Sequence, residues 1–262
     1  MPLRVFHVDA FTAKPFSGNA AAVCPLVEWL DDNWLRAVAA ENNLSETAFF
    51  VPCEDHYDLR WFTPRCEVKL CGHATLASAF VLMEVLEPGR RSVRFETRFS
   101  GPLIVVRDGA VFAMDFPVLI PWSCSDPPAA LIDGLGKVPD AVMQVEDNYF
   151  SIYEREEDIG RIRPDFRLLE KLHPAGVAIT APGDNSDFVS RYFAPSYGVP
   201  EDPVTGSTHC SLAPYWAQRL GKTKLHARQV SERGGDLWCE VQGERVIIKG
   251  NAVLTLRGEL LI

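Results

Sequence analysis

Apolar and polar residues alternate along several short stretches of this chain, and such a period of two predicts strands. The first stretch runs from Val5 to Phe11. Between later strand patterns lies the segment 72–86, which is rich in Ala, Leu and Val on nearly all sides and predicts a buried helix. Another helix is predicted at 34–41, where Asp31 and neighbouring polar residues provide N-capping. The second half of the chain repeats this mixture, which predicts an α+β protein.

The strongest pattern is an internal repeat. Residues 61–64 (Trp-Phe-Thr-Pro) and 192–195 (Tyr-Phe-Ala-Pro) are each followed by a loop and by a turn that starts with glycine, Gly72 in one copy and Gly206 in the other. The glycines are 134 residues apart and the aromatic pairs 131, so the second loop has three extra residues. A repeat of this length predicts two similar domains, with an active site between two facing helix N-termini.

Prolines mark the predicted boundary between the domains. Five prolines fall between 117 and 139, where little periodicity is present. We therefore predict an N-terminal domain at 1–118, a linker at 119–139 and a C-terminal domain at 140–262, and we allow the C-terminal strand to pack back onto the first domain. In each domain a sheet wrapped around the central apolar helix is the economical way to bury that helix.

Composition narrows the partners and the compartment. The formal charge of −9, from 26 basic and 35 acidic residues, argues against nucleic acid or an anionic membrane as a partner. No apolar run approaches transmembrane length, and no signal peptide is recognised at the start. Seven cysteines without a CxxC motif argue against disulfides and a thiolate zinc site, and no two histidines have ligand spacing, so we expect a cytoplasmic protein without metal or other cofactor.

The two predicted helix starts suggest an anion site. Helix N-termini have unpaired N–H groups and a positive dipole end, and glycine lets a ligand approach the backbone. His73 follows Gly72, and Ser207 follows Gly206, so each start also has a side-chain donor. Two such termini facing one cleft would hold a small carboxylate. The alternative is an ordinary capped helix, but the duplication of the pattern favours the site.

Two carboxylates are candidates for acid–base work. Asp202 lies in the longer loop of the second copy, where it could act as acid or base or orient His73. An Asx-type turn before Pro203 is the structural alternative. Glu46 precedes an apolar strand, and a carboxylate against an apolar wall has a raised pKa and can shuttle a proton near neutrality. A solvent-facing strand residue is the alternative there.

The chain resembles the phenazine-biosynthesis PhzF-like family, which is related to diaminopimelate epimerase. The motifs that carry the resemblance occur in family order over almost the whole chain: Val8-Asp9-Ala10-Phe11-Thr12, Phe16 to Val23, Asn43 to Phe49, Phe62-Thr63-Pro64, Leu70 to Thr75, and Glu201 to Ser207. The resemblance implies the two-domain diaminopimelate-epimerase-like fold, a homodimer, and proton-transfer chemistry without a cofactor. In the phenazine enzyme itself, the reaction is isomerisation of a dihydro-hydroxyanthranilate.

The resemblance also implies roles for individual residues. Glu46 would be the catalytic carboxylate that moves a proton from one substrate carbon to another. The other residues implied to line the site are His73, Asp202 and Ser207 as polar catalytic partners, the N–H groups of Gly72 and Gly206 as holders of the substrate carboxylate, and Cys71, Thr205 and Asn19 as further substrate-binding residues.

The chain departs from its relatives at three places. Related epimerases and racemases use one cysteine at each helix start; here these positions are Cys71 and Thr205, which disfavours a two-cysteine racemase. Ala20 replaces the usual proline after Asn19. His209 stands where a small residue is expected, and it either narrows the pocket, adds a titratable group, or lies on the helix surface.

We therefore expect an isomerase that moves a proton between carbons of a small carboxylate held between two helix N-termini, with Glu46 as acid and base. One alternative is an epimerase or racemase of a small amino or hydroxy acid. Another is a non-catalytic member of the family that binds a metabolite or a protein.

Overall fold

A computed structural model of the chain describes residues 2–261. Its strands are β1 (Leu3–Ala10), β2 (Asn19–Pro25), β3 (Glu46–Pro52), β4 (Tyr57–Phe62), β5 (Glu67–Val68), β6 (Ser92–Thr97), β7 (Gly101–Asp108), β8 (Val111–Pro117), β9 (Trp122–Ser123), β10 (Ala141–Val145), β11 (Asn148–Ile152), β12 (Gly176–Pro182), β13 (Phe188–Ala194), β14 (Val199–Asp202), β15 (Lys224–Gln229), β16 (Gly235–Gln242), β17 (Arg245–Gly250) and β18 (Ala252–Leu260). Its α-helices are α1 (Asp32–Asn42), α2 (Gly72–Phe80), α3 (Ala129–Leu135), α4 (Glu156–Arg161), α5 (Phe166–Leu169) and α6 (His209–Leu220). A π-helical turn, Val81–Leu86, continues α2, and 3₁₀ turns lie at Glu170–Leu172 and Pro195–Tyr197.

The chain divides into two compact units. The first unit comprises Met1–Phe116 and Ile247–Ile262, and the second comprises Pro117–Val246. The C-terminal strand groups with the first unit because β18 pairs with β1 in antiparallel register along its length. The second unit is therefore shorter at its C-terminal end than the domain 140–262 that the sequence suggests.

The segment 119–139, predicted as a linker, is part of the fold of the second unit. It contains β9, which pairs with β10, and α3, whose residues Leu131 and Leu135 are buried in the core of that unit. Pro128 is the N-cap of α3. Proline is tolerated at a helix start, where an N–H would be unsatisfied anyway, so here prolines indicate the beginning of a helix and not a flexible connection.

The first unit consists of a sheet with helices packed against it. The strand order is β18-β1-β2-β3-β4-β6-β7-β8, with β5 added to β4, and the parallel pairs are β2–β3 and β4–β6. Every residue of α2 from Gly72 to Ala79 is buried, and α2 contacts β1, β2 and β3. In β3, Phe49 and Val51 cluster with α1. Their neighbours face the other side of the sheet because successive side chains alternate.

The second unit repeats the pairing pattern of the first. Its order is β9-β10-β11-β12-β13-β15-β16, with β14 added to β13, and the parallel pairs are β11–β12 and β13–β15. The first half of α6 is buried, and α6 packs on β15 and β16. The prediction of an α+β fold with two pseudo-symmetric domains, each built around an apolar helix, is confirmed. Within residues 2–261 no helix is both long and apolar enough to span a membrane.

The start of α6 differs from the prediction. The sequence places the helix start at Gly206, but α6 begins at His209 and residues 206–208 form a turn. In that turn the N–H of His209 donates to the carbonyl of Gly206, and the N–H of Cys210 donates to that of Ser207. These bonds span three residues, as in a 3₁₀ turn, which commonly leads into an α-helix. Gly206 therefore lies one short turn before the helix.

Candidate active site

In the first unit, two polar side chains begin neighbouring strands. Asn19 is the first residue of β2 and Glu46 the first residue of β3. Because β2 and β3 are parallel, with Ala21 opposite Glu46, both side chains come to the same edge of the sheet. Gly18 permits this approach: its φ is +65°, and a Cβ there would lie 2.2 Å from the carbonyl oxygen of Ala10. Only glycine fits both conditions without strain.

His73 joins these two residues from the first turn of α2. Its Nδ1 lies 3.0 Å from Asn19 Nδ2, and its Nε2 lies 3.2 Å from Glu46 Oε2. An amide nitrogen can only donate, so Nδ1 of His73 accepts, and the ring proton of the neutral imidazole is on Nε2. This nitrogen is the one that lies close to the Glu46 carboxylate. The structure therefore brings together Asn19, Glu46 and His73 of the predicted site.

Burial keeps His73 uncharged. The residue is 3% exposed, and desolvation lowers the pKa of its imidazole to about 3. The contact with Glu46 is therefore a close approach of a neutral ring to a carboxylate at neutral pH, and not an ion pair. A cationic partner would reduce the basicity of the carboxylate by Coulomb attraction, whereas a neutral ring does not.

Cys71 and Gly72 complete this part of the site. Cys71 is the N-cap of α2, with extended backbone angles and without a side-chain capping bond, and its Sγ lies 3.5 Å from Nδ1 of His73. Gly72 is the first helical residue. The first N–H groups of a helix have no partner within the helix, so those at the start of α2 can bind an anion.

In the second unit, Asp202 and Thr205 are connected by a buried network. The Thr205 hydroxyl donates to Asp202 Oδ2 at 2.5 Å. Gln229, which is 1% exposed, holds both residues: its Oε1 accepts from the N–H of Thr205 at 2.9 Å, and its Nε2 donates to the carbonyl oxygen of Asp202 at 2.7 Å. The loop that carries Asp202 is thus fixed in place by Gln229.

The remaining predicted residues lie in the turn before α6. Gly206 is buried, and Ser207 is partly exposed. They lie next to Thr205 and precede a helix, so the second unit also presents N–H groups near a helix start, although one turn earlier than α6 itself. The two sets of predicted residues belong to different units: Asn19, Glu46, Cys71, Gly72 and His73 to the first, and Asp202, Thr205, Gly206 and Ser207 to the second.

His209 is not a surface residue, so that alternative from the sequence is wrong. The residue is fully buried at the start of α6, and its ring packs against Phe188, which stacks on Trp216. Its Nδ1 lies 2.9 Å from the carbonyl oxygen of Thr205 and must donate to it. Burial lowers the pKa of His209 to about 4, so this ring is also neutral at pH 7.

Two clusters offer ligand atoms that could hold a metal ion among residues 2–261. One consists of Glu46, Cys71 and His73, and the other of Cys53, His56 and Asp58. In each cluster one atom from every residue lies within 4.8 Å of the others. Cysteine–cysteine and histidine–histidine spacing in the sequence does not reveal these two mixed sets, which the fold brings together.

Sequence reasoning also missed the arginine–glutamate pairs beside both loops. Arg60 binds Glu67 through Nε and Nη2 at 2.7 and 2.8 Å, and Arg191 binds Glu201 through the same atoms at the same distances. The signal was present in the repeat: the two arginines are 131 residues apart and the two glutamates 134, as are the aromatic pairs and the glycines. Gln229 had no such signal.

The fold and these residues define the class of protein. A hydroxyproline epimerase of Agrobacterium vitis has the same fold, with a TM-score of 0.66 over 99% of this chain and 92% of that chain; the identity is 12%, so this likeness concerns the fold alone. The class that can be stated is therefore that of the fold, which is epimerase-like with two similar halves.

The family follows from closer matches. The profile of the phenazine biosynthesis-like protein family matches residues 8–258, and the chain belongs to this family. It is 54% identical to an uncharacterized isomerase of Pseudomonas aeruginosa over 99% of both chains. It is 43% identical to a PhzF-family phenazine biosynthesis protein of Enterococcus faecalis, with a TM-score of 0.94 and complete coverage of both chains. The names of its relatives support an isomerase-type enzyme.

Proposed function

We propose that this protein catalyses a cofactor-independent isomerisation in which a proton moves between two carbons of a small carboxylate substrate. Glu46 removes the proton from one carbon, and the resulting electron pair delocalises toward the substrate carboxylate. In an unsaturated substrate, the protonated Glu46 then returns the proton to another carbon of the conjugated system, so that the carbon–carbon double bond shifts and no other reactant is consumed. The carrying observation is the contact of Glu46 with a buried, neutral His73.

This contact suits a base that must also become an acid. Nε2 of His73 lies 3.2 Å from one carboxylate oxygen, and the neutral ring does not neutralise the charge of Glu46. When Glu46 takes up the proton, the neighbouring imidazole is already neutral, so the ring is not left as an unpaired buried charge. Asn19 fixes the tautomer of this ring.

Binding of the substrate carboxylate is assigned to backbone N–H groups at the two glycine turns. In the first unit these belong to the start of α2, with Gly72 as its first residue. In the second they belong to Gly206 and Ser207, where the side chains of Asp202 and Ser207 would bind the rest of the substrate. The assignment of both sets to one substrate rests on the repeat and on the family resemblance.

A racemase with two thiol bases is less consistent with the residues present. The position of the second thiol is occupied by Thr205, whose hydroxyl donates a hydrogen bond to the Asp202 carboxylate. A threonine hydroxyl is a far weaker acid than a thiol, and here it is already engaged. Cys71 is a buried residue at a helix start and lies beside an imidazole that is neutral.

The test is solvent exchange followed by NMR. The protein is incubated in D2O with small carboxylates that are β,γ-unsaturated or bear an amino group, and deuterium incorporation at carbon is recorded. We expect exchange with wild-type protein and its loss, by about 100-fold or more, in Glu46→Gln, because general acid–base catalysis contributes on this scale. Glu41→Gln, which alters an exposed carboxylate near the end of α1, is the matched control and should retain exchange.

Each outcome decides between hypotheses. Exchange that survives Glu46→Gln in a folded variant removes Glu46 as the base. If wild-type protein binds a carboxylate but exchanges no carbon-bound proton in any substrate tested, a binding protein replaces the enzyme. The assignment of the second unit is tested separately by Asp202→Asn: an unchanged KM and kcat would separate that unit from the reaction.

A further inference from the structure

The hairpin between β3 and β4 gathers three different metal-ligating side chains. Pro52 pairs with Tyr57, and residues 53–56 form the connecting loop. The N–H of Cys53 donates to the carbonyl oxygen of His56 at 2.9 Å, which closes the loop and brings these two residues together. Asp58 is the second residue of β4, and its carboxylate lies beside the His56 ring.

The distances within this cluster suit a tetrahedral ion. One ligand atom each from Cys53, His56 and Asp58 lies within 4.8 Å of the others, and Nε2 of His56 is 3.3 Å from Oδ1 of Asp58. Zinc binds nitrogen and oxygen at about 2.0–2.2 Å, and a tetrahedral angle then separates two such ligands by about 3.3–3.6 Å. Cys53 is exposed, so its side chain is free of packing that would prevent the sulfur from turning toward the ion.

The other ring nitrogen of His56 already has the partner that a metal-bound histidine usually has. Its Nδ1 lies 2.9 Å from Oδ1 of Asp55. A carboxylate in that position fixes the ring and places the proton on Nδ1, which leaves Nε2 free to coordinate. The His56 side chain is 25% exposed and that of Asp58 is 41% exposed, so an ion can reach the cluster from solvent.

We propose that Cys53, His56 and Asp58 form a binding site for a zinc-class divalent cation, with Asp55 as a positioning residue. Sulfur and imidazole ligands favour zinc over magnesium and calcium, which require several oxygen ligands. Water fills the fourth position. The site is separate from Glu46, Cys71 and His73, because Cys53 follows the last residue of the strand that Glu46 begins.

Binding at this loop should stabilise the fold. An ion that binds the folded chain and not the unfolded chain raises the free energy of unfolding by RT ln(1 + [ion]/Kd). The loop connects the strand that carries Glu46 to β4, so the ion would hold the far end of that hairpin closed. We therefore expect zinc to raise the melting temperature of the wild-type protein.

The test uses the full chain, treated with a chelator and kept reduced with a non-thiol reductant. Cobalt is the spectroscopic probe, because a thiolate ligand produces a charge-transfer band in the near ultraviolet; zinc is measured by calorimetry and by displacement of cobalt. We expect one saturable equivalent and a thiolate band for the wild type. Cys53→Ser should lose the band, His56→Ala should lose saturable binding, and Asp55→Ala should weaken binding by about 10-fold or more.

Two further variants serve as matched controls. Cys66→Ser removes the other exposed cysteine, and Cys71→Ser removes the thiol of the second metal-capable cluster. Both should keep the band and the stoichiometry. The proposal is overturned if Cys53→Ser keeps the band, if Cys71→Ser loses it, or if the wild type shows no saturable binding. Melting without metal confirms that each variant is folded, and the zinc-dependent increase should be absent in Cys53→Ser.

Discussion

The two units share a pattern of strand pairing, but different side chains stand at equivalent positions. The strands of each unit pair in the same sequence: antiparallel, parallel, antiparallel with a short added strand, parallel, and antiparallel. The strands β1–β7 therefore correspond to β10–β16. The arginine–glutamate pair beside the loop is also present in both, with the same bond lengths. The strand pairing and the loop support are therefore duplicated.

The carboxylate proposed to be catalytic, Glu46, is not duplicated. Thr47 pairs with Phe62 in the first unit and Val177 with Phe193 in the second, so the counterpart of Glu46 is Gly176. A Cβ on Gly176 would lie 1.9 Å from the Tyr192 hydroxyl, which itself donates to Asn148. In the second unit this space is occupied by the Tyr192 side chain, which would have to move for any other side chain to enter. The repeat thus preserves backbone geometry, while the proposed chemistry depends on which unit has room for an acid.

The largest expected effect comes from placing a glutamate in the second unit at the position equivalent to Glu46. Gly176→Glu should destabilise the protein by about 5 kcal/mol or more, because a carboxylate would overlap the Tyr192 hydroxyl and be buried without a cation. Gly176→Ala should cost about 3 kcal/mol from overlap alone. The measurement is the free energy of unfolding in urea.

The control for this substitution is Gly160→Ala in α4, where a Cβ meets no atom within 4 Å. It should stabilise by up to about 1 kcal/mol, since alanine favours the helix. Tyr192→Phe should recover part of the loss in Gly176→Ala. Unchanged stability of Gly176→Ala would mean that Tyr192 moves aside easily and that space does not explain the missing acid.

A smaller effect tests the feature that both units share. Arg191→Met should cost about 3–4 kcal/mol, because it leaves Glu201 without its partner and removes two bonds to the carbonyl oxygens of Ile159 and Ile162. Arg60→Met should cost less, about 2 kcal/mol, because the additional partner of Arg60 is the more exposed Asp32.

Urea unfolding of both variants is compared with that of Arg167→Met, an arginine that is 92% exposed and should change stability by less than about 0.5 kcal/mol. An equal cost at Arg60 and Arg191 would show that the carbonyl bonds of Arg191 contribute little. A negligible cost at both would show that the duplicated pairs do not support the loops.

Local signals explain what the sequence predicted well. Residues at the start of an element are specified by neighbours in the chain: Asp31 accepts a hydrogen bond from the N–H of Asn33 and caps α1, and α2 begins at Gly72 as expected. The fold class was accessible for the same reason, since the repeat and the apolar helix are visible in the order of residues.

Features fixed by distant contacts were missed. Gln229 has no local pattern, yet it holds Asp202 and Thr205 from a strand more than twenty residues away. From the sequence His209 is compatible with a surface position, but in the structure it is buried and packs against Phe188. The helix α3 was hidden because its prolines also suit a linker, and only burial of Leu131 and Leu135 distinguishes the two. Burial results from the packing of several elements, which one stretch of sequence does not specify.

An effect of intermediate size is expected in the pH dependence of stability, to which two buried histidines contribute, one in each unit. Burial lowers the pKa of His73 to about 3 and that of His209 to about 4, whereas both would be near 6.5 in the unfolded chain. The unfolded state therefore binds more protons below pH 6.5. The stability contribution is complete above that pH and is lost as pH falls toward the folded-state values, by up to about 1.4 kcal/mol per pH unit for each ring.

His73→Gln and His209→Gln should each reduce this acid sensitivity by about 1 kcal/mol between pH 6 and 5, measured as the change in unfolding free energy relative to wild type. Below pH 4, folded His209 also takes up its proton, so only His73 still contributes to the slope. If neither variant changes the slope, the rings are solvated in the folded protein and their neutrality is disproved.

The smallest expected effect concerns the capping residue at the start of α2. Cys71 has the extended backbone angles of an N-cap but makes no side-chain capping bond. Serine at this position can cap the helix, so Cys71→Ser should be neutral or stabilise by up to about 1 kcal/mol. Because Glu46, and not this thiol, is proposed to move the proton, the variant should retain deuterium exchange. Loss of exchange in a variant of unchanged stability would give the thiol a chemical role, and the racemase alternative would then replace the carboxylate mechanism.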